Sequence, residues 1–192
     1  MFPDGGLSSK GIYGELINGK GMGYDKRLSY EIGGIALNDS SKGLLYQIWR
    51  GQLVDTTIIL DVPDDPSIVP IDVMTVSGIT EFSFTFDQNM QPVIVYMADN
   101  FSSIYFYDGT VQSFVTIPIG DGIIAPRVFL DDKRPTAIVD SDVLLVYLRY
   151  ENLYYRMQRD RYGIEYLLKK NVGGSNILFG MNDKLRVQIY VT

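Results

Sequence analysis

Short runs rich in β-branched and aromatic residues recur along this chain, each closed off by Gly, Pro, Asn or Asp. "LLYQIW" (44–49), "TTIIL" (56–60), "FSFTF" (82–86), "PVIVYM" (92–97), "SIYFY" (103–107) and "VLLVYLRY" (143–150) are the clearest. No window keeps the spacing of three and four that a helix needs to bury one face, so the runs predict strands and an all-β fold. "DVPDDPSIVPID" carries three prolines, which cannot donate to a strand ladder, and is expected to be a loop or a ragged edge. "YDGT" at 107–110 offers Asp-Gly as a tight hairpin turn.

The strands repeat in groups. "FDQNMQPVIVYMADNFSSIYFYDGT" set beside "LDDKRPTAIVDSDVLLVYLRYENLYY" aligns Phe86-Asp87 with Leu130-Asp131 and Pro92 with Pro135. "GMNDKLRVQIYVT" at the C-terminal end echoes the start of the unit, and "IALNDSSKGLLYQIW" is a looser match. A period of about 40–50 residues built of short strands is the mark of blade-like units, because one such unit cannot bury both faces alone. The expected fold is therefore a propeller-like array of about four short antiparallel blades, with a β-sandwich as the alternative. Residues 1–27 are Gly-rich and short of core-forming periodicity. They are expected to be an N-terminal arm that orders against a neighbouring subunit, leaving 28–192 as a single all-β domain.

Composition removes much chemistry. With no Cys and no His, disulfide frameworks, Cys/His zinc sites, thiol nucleophiles and His-based triads are excluded. No apolar run approaches the ~20 residues of a membrane helix, and no signal-peptide pattern opens the chain, so neither membrane contact nor export is expected. The net charge of −6 is unevenly spread. Between Arg50 and Arg127 there is no Lys or Arg, while that stretch holds ten acids; residues 1–50 carry six bases against five acids, and 127–192 eleven against eight. An acidic middle between weakly basic ends can drive head-to-tail association of identical subunits or present a surface past which nucleic acid slides, and the plain alternative is a solvated acidic face.

"LYYRMQRDRYGIEY" (153–166) concentrates four tyrosines and three arginines. It reads as the return strand of a hairpin interrupted at Glu151-Asn152, with Tyr154, Arg156 and Gln158 on one face and Leu153, Tyr155 and Met157 on the other. Internal pairing of the arginines with Glu151, Asp160 or Glu165 competes with a Tyr/Arg protein interface. Specific nucleic-acid binding is disfavoured by the sequence pI of about 4.6.

"SDVLLVYLRYENLYYRMQRDRYGIEY" and the closing "ILFGMNDKLRVQIYVT" resemble a pattern of tailed-bacteriophage virion proteins, a strand "DVLLFYLR" leading into "LYYRQQRDRY" and closing on "VGMNxxLRLQFE". The matching positions are Asp142 to Arg149, Leu153 to Tyr162 and Gly180 to Gln188, about the C-terminal third, with Met157 in place of a Gln. The resemblance implies a structural part of the particle at the neck or tail. It implies no catalytic residues, no cofactor, contacts with portal, adaptor or tail subunits and with copies of itself, and a location in the virion after synthesis in the host cytoplasm. The residues expected at the interface are Phe2, Ile12, Tyr13, Tyr24, Trp49, Tyr154, Arg156, Arg159 and Arg161. The alternative is a tail module that binds host glycans or a receptor through Trp49, Tyr105, Tyr107, Tyr154 and Tyr155.

Other chemistry signals are weak. "GELINGKG" (14–21) approximates a phosphate loop, but Gly21 replaces the magnesium-binding Ser or Thr. Asp61, Asp64, Asp65 and Asp72 could offer oxygens to calcium without a calcium-loop spacing. Asp131 with Asp132, or Asp140 with Asp142, could serve glycoside hydrolysis, but neighbouring Asp residues on turns are commonly turn formers.

Overall fold

The computed structural model describes residues 30–40, 43–62, 66–87, 89, 91–131, 142–181 and 187–192. The expected arm and the phosphate-loop-like stretch lie outside the described residues. The chain is all-β, with no α-helix among the described residues. Strands β1 (Tyr30–Ser40), β2 (Gly43–Val54), β3 (Thr57–Asp61) and β4 (Ile71–Thr75) form the first antiparallel sheet. Strands β5 (Ile79–Phe86), β6 (Pro92–Ala98), β7 (Phe101–Asp108) and β8 (Ser113–Gly120) form the second. Strands β9 (Ile124–Asp131), β10 (Asp142–Arg149), β11 (Asn152–Met157) and β12 (Tyr166–Lys169) form the third, and β13 (Ile177–Met181) with β14 (Val187–Val191) a two-stranded fourth. In every sheet consecutive strands are neighbours, and no sheet closes on itself.

The pleat explains how the sheets stack. In β5 the alternation of "FSFTF" sends Phe82, Phe84 and Phe86 to one face and Ser83 and Thr85 to the other, and all five are buried. The phenylalanines meet Trp49, Ile58 and Leu60 of the first sheet. On the opposite face Val93, Val95, Ile104 and Phe106 meet Val128, Leu130, Val143, Leu145 and Tyr147 of the third. Ile177, with the half-buried Ile189 and Val191, brings the fourth sheet into the same core. The second sheet is thus covered on both faces. The first strands run side by side, with β1 against β5, β5 against β9 and β9 against β13.

Two devices tie the sheets where ordinary apolar packing does not. A Cβ placed on Gly51 in β2 would lie 2.8 Å from the Phe84 ring and 2.9 Å from that of Phe82, so the missing side chain lets β2 close onto β5. The other is a buried ion pair. Arg127 of β9 (1% exposed) donates to Glu81 Oε1 of β5 (6% exposed) at 2.6 Å and to Asn176 Oδ1 at 3.1 Å, beside a 3.2 Å bond from the Val128 amide to Ser83 Oγ. One guanidinium spans three successive sheets.

Several sequence expectations shift. The "YDGT" hairpin is not a two-residue Asp-Gly turn: Asp108 pairs with Ser113, the loop is Gly109–Gln112, and the left-handed residue is Gln112. The Asp108 carboxylate accepts the Thr110 amide and so shapes the wider loop. In the β10–β11 hairpin the turn falls at Tyr150-Glu151, one residue earlier than Glu151-Asn152; both residues adopt positive φ, and Arg149 pairs with Asn152. Of the proline-rich segment, Ile71 and Asp72 belong to β4. Of the aligned repeat, Leu130 sits near the end of a first strand as Phe86 does, and Pro92 opens β6, while Pro135 lies outside the described residues.

Candidate functional site

The Tyr/Arg stripe folds inward. Leu145 pairs with Arg156 and Tyr147 with Tyr154, so Tyr154 and Arg156 lie on the face of the third sheet that looks toward the second. Arg156 (side chain 14% exposed) donates to Tyr147 Oη at 2.9 Å, to the Tyr162 carbonyl at 3.0 Å and across the seam to the Ile119 carbonyl at 3.3 Å. Glu165 accepts from Arg149 at 2.5 Å, from Arg156 at 3.4 Å and, closely, from the Tyr147 hydroxyl. The Tyr147 and Tyr154 rings stack at 6.0 Å, with the Arg149 guanidinium 5.3 Å from the Tyr154 centroid. Burial first, and then the bond to Glu165, push the Tyr147 phenol well above its ordinary pKa. Of the three carboxylates the sequence offered, Glu165 takes the guanidiniums of Arg149 and Arg156, while Asp160 accepts from Tyr166 Oη at 3.0 Å.

The same segment ends in a polar cleft of about 380 Å³ between the ends of the second and third sheets. After β11 a single 3-10 turn, Gln158–Asp160, leads to Arg161 and Tyr162, both at positive φ. Such a pair is costly for bulky residues and is held by hydrogen bonds in which the Arg161 amide donates to the Gln158 carbonyl, that of Tyr162 to Met157 and that of Gly163 to Asp160. The reversal throws Arg159 and Arg161 toward the cleft and drives Tyr162 into the core, edge-on to Phe106 at 5.0 Å.

Three buried carboxylates line the cleft and each is engaged. Asp87 Oδ1 accepts the amides of Asn89 (2.8 Å) and Gln91 (3.0 Å), and its Oδ2 accepts from Gln158 Nε2 (3.3 Å). Asp142 accepts the Arg159 amide at 3.2 Å and, closely, its Nε. Asp108 accepts the Thr110 amide at 2.8 Å and lies 2.6 Å from Arg161 Nη2. Burial disfavours charge on Asp108, but Thr110 and the Arg161 guanidinium outweigh it and hold the carboxyl below its ordinary pKa. A lowered carboxyl pKa contributes stability above the ordinary Asp value that is lost as pH falls through the folded value. Asp108→Asn is accordingly expected to flatten the acid limb of a melting-temperature profile taken from pH 7 to pH 2; a limb as steep as in the parent would remove Asp108 from that role.

Tyr162 lies beneath this cleft, fully buried, and its hydroxyl has no hydrogen-bond partner among the described residues. Burial, with Asp142 and Asp87 nearby, raises its pKa well above the phenol value. Tyr162→Phe is expected to be neutral or to stabilise by up to about 2 kcal/mol, since it removes an uncompensated buried hydroxyl. A loss above about 1 kcal/mol in urea denaturation would mean that the hydroxyl has a partner in solution.

The other sequence candidates are dispersed. Trp49 is 5% exposed and packs 5.1 Å from Phe86, so it belongs to the inter-sheet core and offers no surface to a partner. Arg159 and Arg161 remain half exposed at the cleft. Tyr105 and Tyr107 lie against Phe114 at 5.0 and 5.4 Å, and Tyr155 stacks on Tyr166 at 5.0 Å. Phe2, Ile12, Tyr13 and Tyr24 lie outside the described residues. Asp61 pairs with Arg50 at 2.5 Å and Asp72 stands exposed on β4, while Asp64 and Asp65 are outside the described residues. So are Asp132 and Asp140, whereas Asp142 is taken up by Arg159. Among the described residues no group of three or more acidic side chains is placed to hold a metal ion, and no helix is long and apolar enough to cross a membrane. Sequence reasoning missed Glu81, Arg127, Asp87 and Asp108 as the groups that seal the seams. Glu81 and Arg127 gave only the signal of a charge inside an apolar run, while Asp87 and Asp108 stood at strand ends where the sequence reads as a turn.

The fold and site define an all-β chain of stacked antiparallel sheets with salt-bridged seams. Comparison with family models, curated proteins and solved structures gave no match.

Proposed function

We propose that this chain is a non-enzymatic structural component of a bacteriophage particle, at the neck or tail, working by contacts with other virion proteins and with copies of itself. The observation that carries this reading is the placement of exposed apolar side chains on outer strands. Ile71 on β4, Phe114 on β8, and Leu167 and Leu168 on β12 are all 39–48% exposed. Exposed apolar strand edges are a liability that a partner surface covers. The resemblance over 142–149, 153–162 and 180–188 supports a place in a tailed-phage particle. The stacked meanders, with their first strands side by side, support a propeller-like array rather than a two-layer sandwich, because the second sheet is buried on both faces along its inner strands β5 and β6.

The Tyr/Arg run supports assembly indirectly, since its guanidiniums are spent on carboxylates, carbonyls and rings of the same chain, which leaves little for a nucleic acid. Incorporation tests the reading: particles made without this chain should lack heads joined to tails and should be repaired by supplying it. Complete, infectious particles formed in its absence would reject it. A second reading, a host-glycan module, is favoured by the 380 Å³ cleft with Tyr107 on its wall and the Tyr105–Phe114 stack nearby. Glycan-array binding lost on Tyr107→Ala would favour it.

A further inference from the structure

We infer that copies of this chain join edge to edge, the outer strand β12 of one copy lying against the outer strand β4 of the next. The inference rests on the self-association proposed above and specifies its surfaces. Three four-stranded sheets end in outer strands β4, β8 and β12. Among the described residues each outer strand has one row of backbone amides and carbonyls without a neighbouring strand in its sheet, a template for another strand. Pro118 interrupts β8, where it lacks the N–H that a ladder needs, so that edge is blunted. Proline is absent from β4 and β12.

Charge distinguishes these two edges and chooses the occupant. Beside Leu167 and Leu168, β12 ends at exposed Lys169, and exposed Lys170 follows it directly. On β4, exposed Ile71 is followed by exposed Asp72, within a stretch of sequence that has no Lys or Arg from residue 51 to residue 126. One edge is apolar and cationic and the other apolar and acidic, so each complements the other and repels its own kind. A pairing of unlike edges is heterologous: it uses both surfaces of every copy and propagates in one direction, closing into a ring when the rotation allows.

The chain has no cysteine, so an introduced thiol reports without background. Leu168→Cys and Ile71→Cys, both at exposed positions, are made separately, and each variant is oxidised alone and in an equimolar mixture; Lys169→Cys with Asp72→Cys provides a second pair. Disulfide-linked dimers are expected in the mixtures and not in either variant alone. Lys169→Glu with Lys170→Glu in the Leu168→Cys chain should reduce the yield at least several-fold, and Asp72→Lys in the Ile71→Cys chain should restore it. Equal cross-linking within single variants, or no cross-linking while light scattering still shows an oligomer, overturns the β12–β4 contact and leaves the structural-subunit reading standing. No cross-linking from a chain that scatters as a monomer overturns the contact and self-association together.

Discussion

Arg127→Met is expected to cost about 3–5 kcal/mol, a large part of what holds a domain of this size together. The substitution removes the guanidinium that spans Glu81 and Asn176, and it leaves the Glu81 carboxylate buried without that cation. Stripping a buried carboxylate of the guanidinium that faces it is what makes the single change severe; the pair itself can contribute little over an apolar replacement. Glu81→Leu combined with Arg127→Met should therefore recover most of the loss. Urea denaturation of the two single variants and the double gives the answer. A single-variant loss below about 1 kcal/mol would mean that water reaches Glu81 and that the seam is not closed as described.

Phe84→Ala is expected to cost about 3–5 kcal/mol, because the ring is fully buried between the first and second sheets. Its coupling to Gly51 is more telling than its size. Gly51→Ala alone should cost about 1–3 kcal/mol, as its Cβ would enter the Phe84 and Phe82 rings at 2.8–2.9 Å. In a Phe84→Ala background part of that space is vacated, so the two losses should fall short of additive by more than about 0.5 kcal/mol. Strict additivity would mean that β2 does not close onto β5 at this point.

These seams also mark how much of the molecule was legible beforehand. The alternation in "FSFTF" and "VLLVYLRY" reveals strands and their faces, because the pleat turns a period of two directly into geometry. The pairing of Arg149 and Arg156 with Glu165 was within reach for the same reason: all three lie on one hairpin and its continuation. Arg127 and Glu81 are 46 positions apart, and no local pattern pairs residues on different sheets. Asp142 and Arg159 meet at the 3-10 turn after β11, and Asp108 and Arg161 where the left-handed Arg161 and Tyr162 follow it, a conformation that Arg and Tyr do not advertise. Trp49 shows the reverse error. An isolated aromatic looks like a recognition residue until the neighbouring sheet is known to cover it.

The repeat was legible at its starts and blurred afterward. Strands β1, β5, β9 and β13 each open a sheet, and the echoes in sequence fall near them. Connections of unequal length then shift the later strands out of step: four residues, 109–112, separate β7 from β8, whereas eight, 158–165, separate β11 from β12. Loop length is weakly constrained by the fold, since lengthening a surface connection costs little free energy.

The central claim is that this chain works by joining copies of itself and other particle proteins, and its mass in solution tests that most directly. Light scattering of the purified protein across concentration and salt should give a defined multiple of 21.6 kDa that loosens as salt rises. A mass of one chain at every concentration and salt level would contradict it.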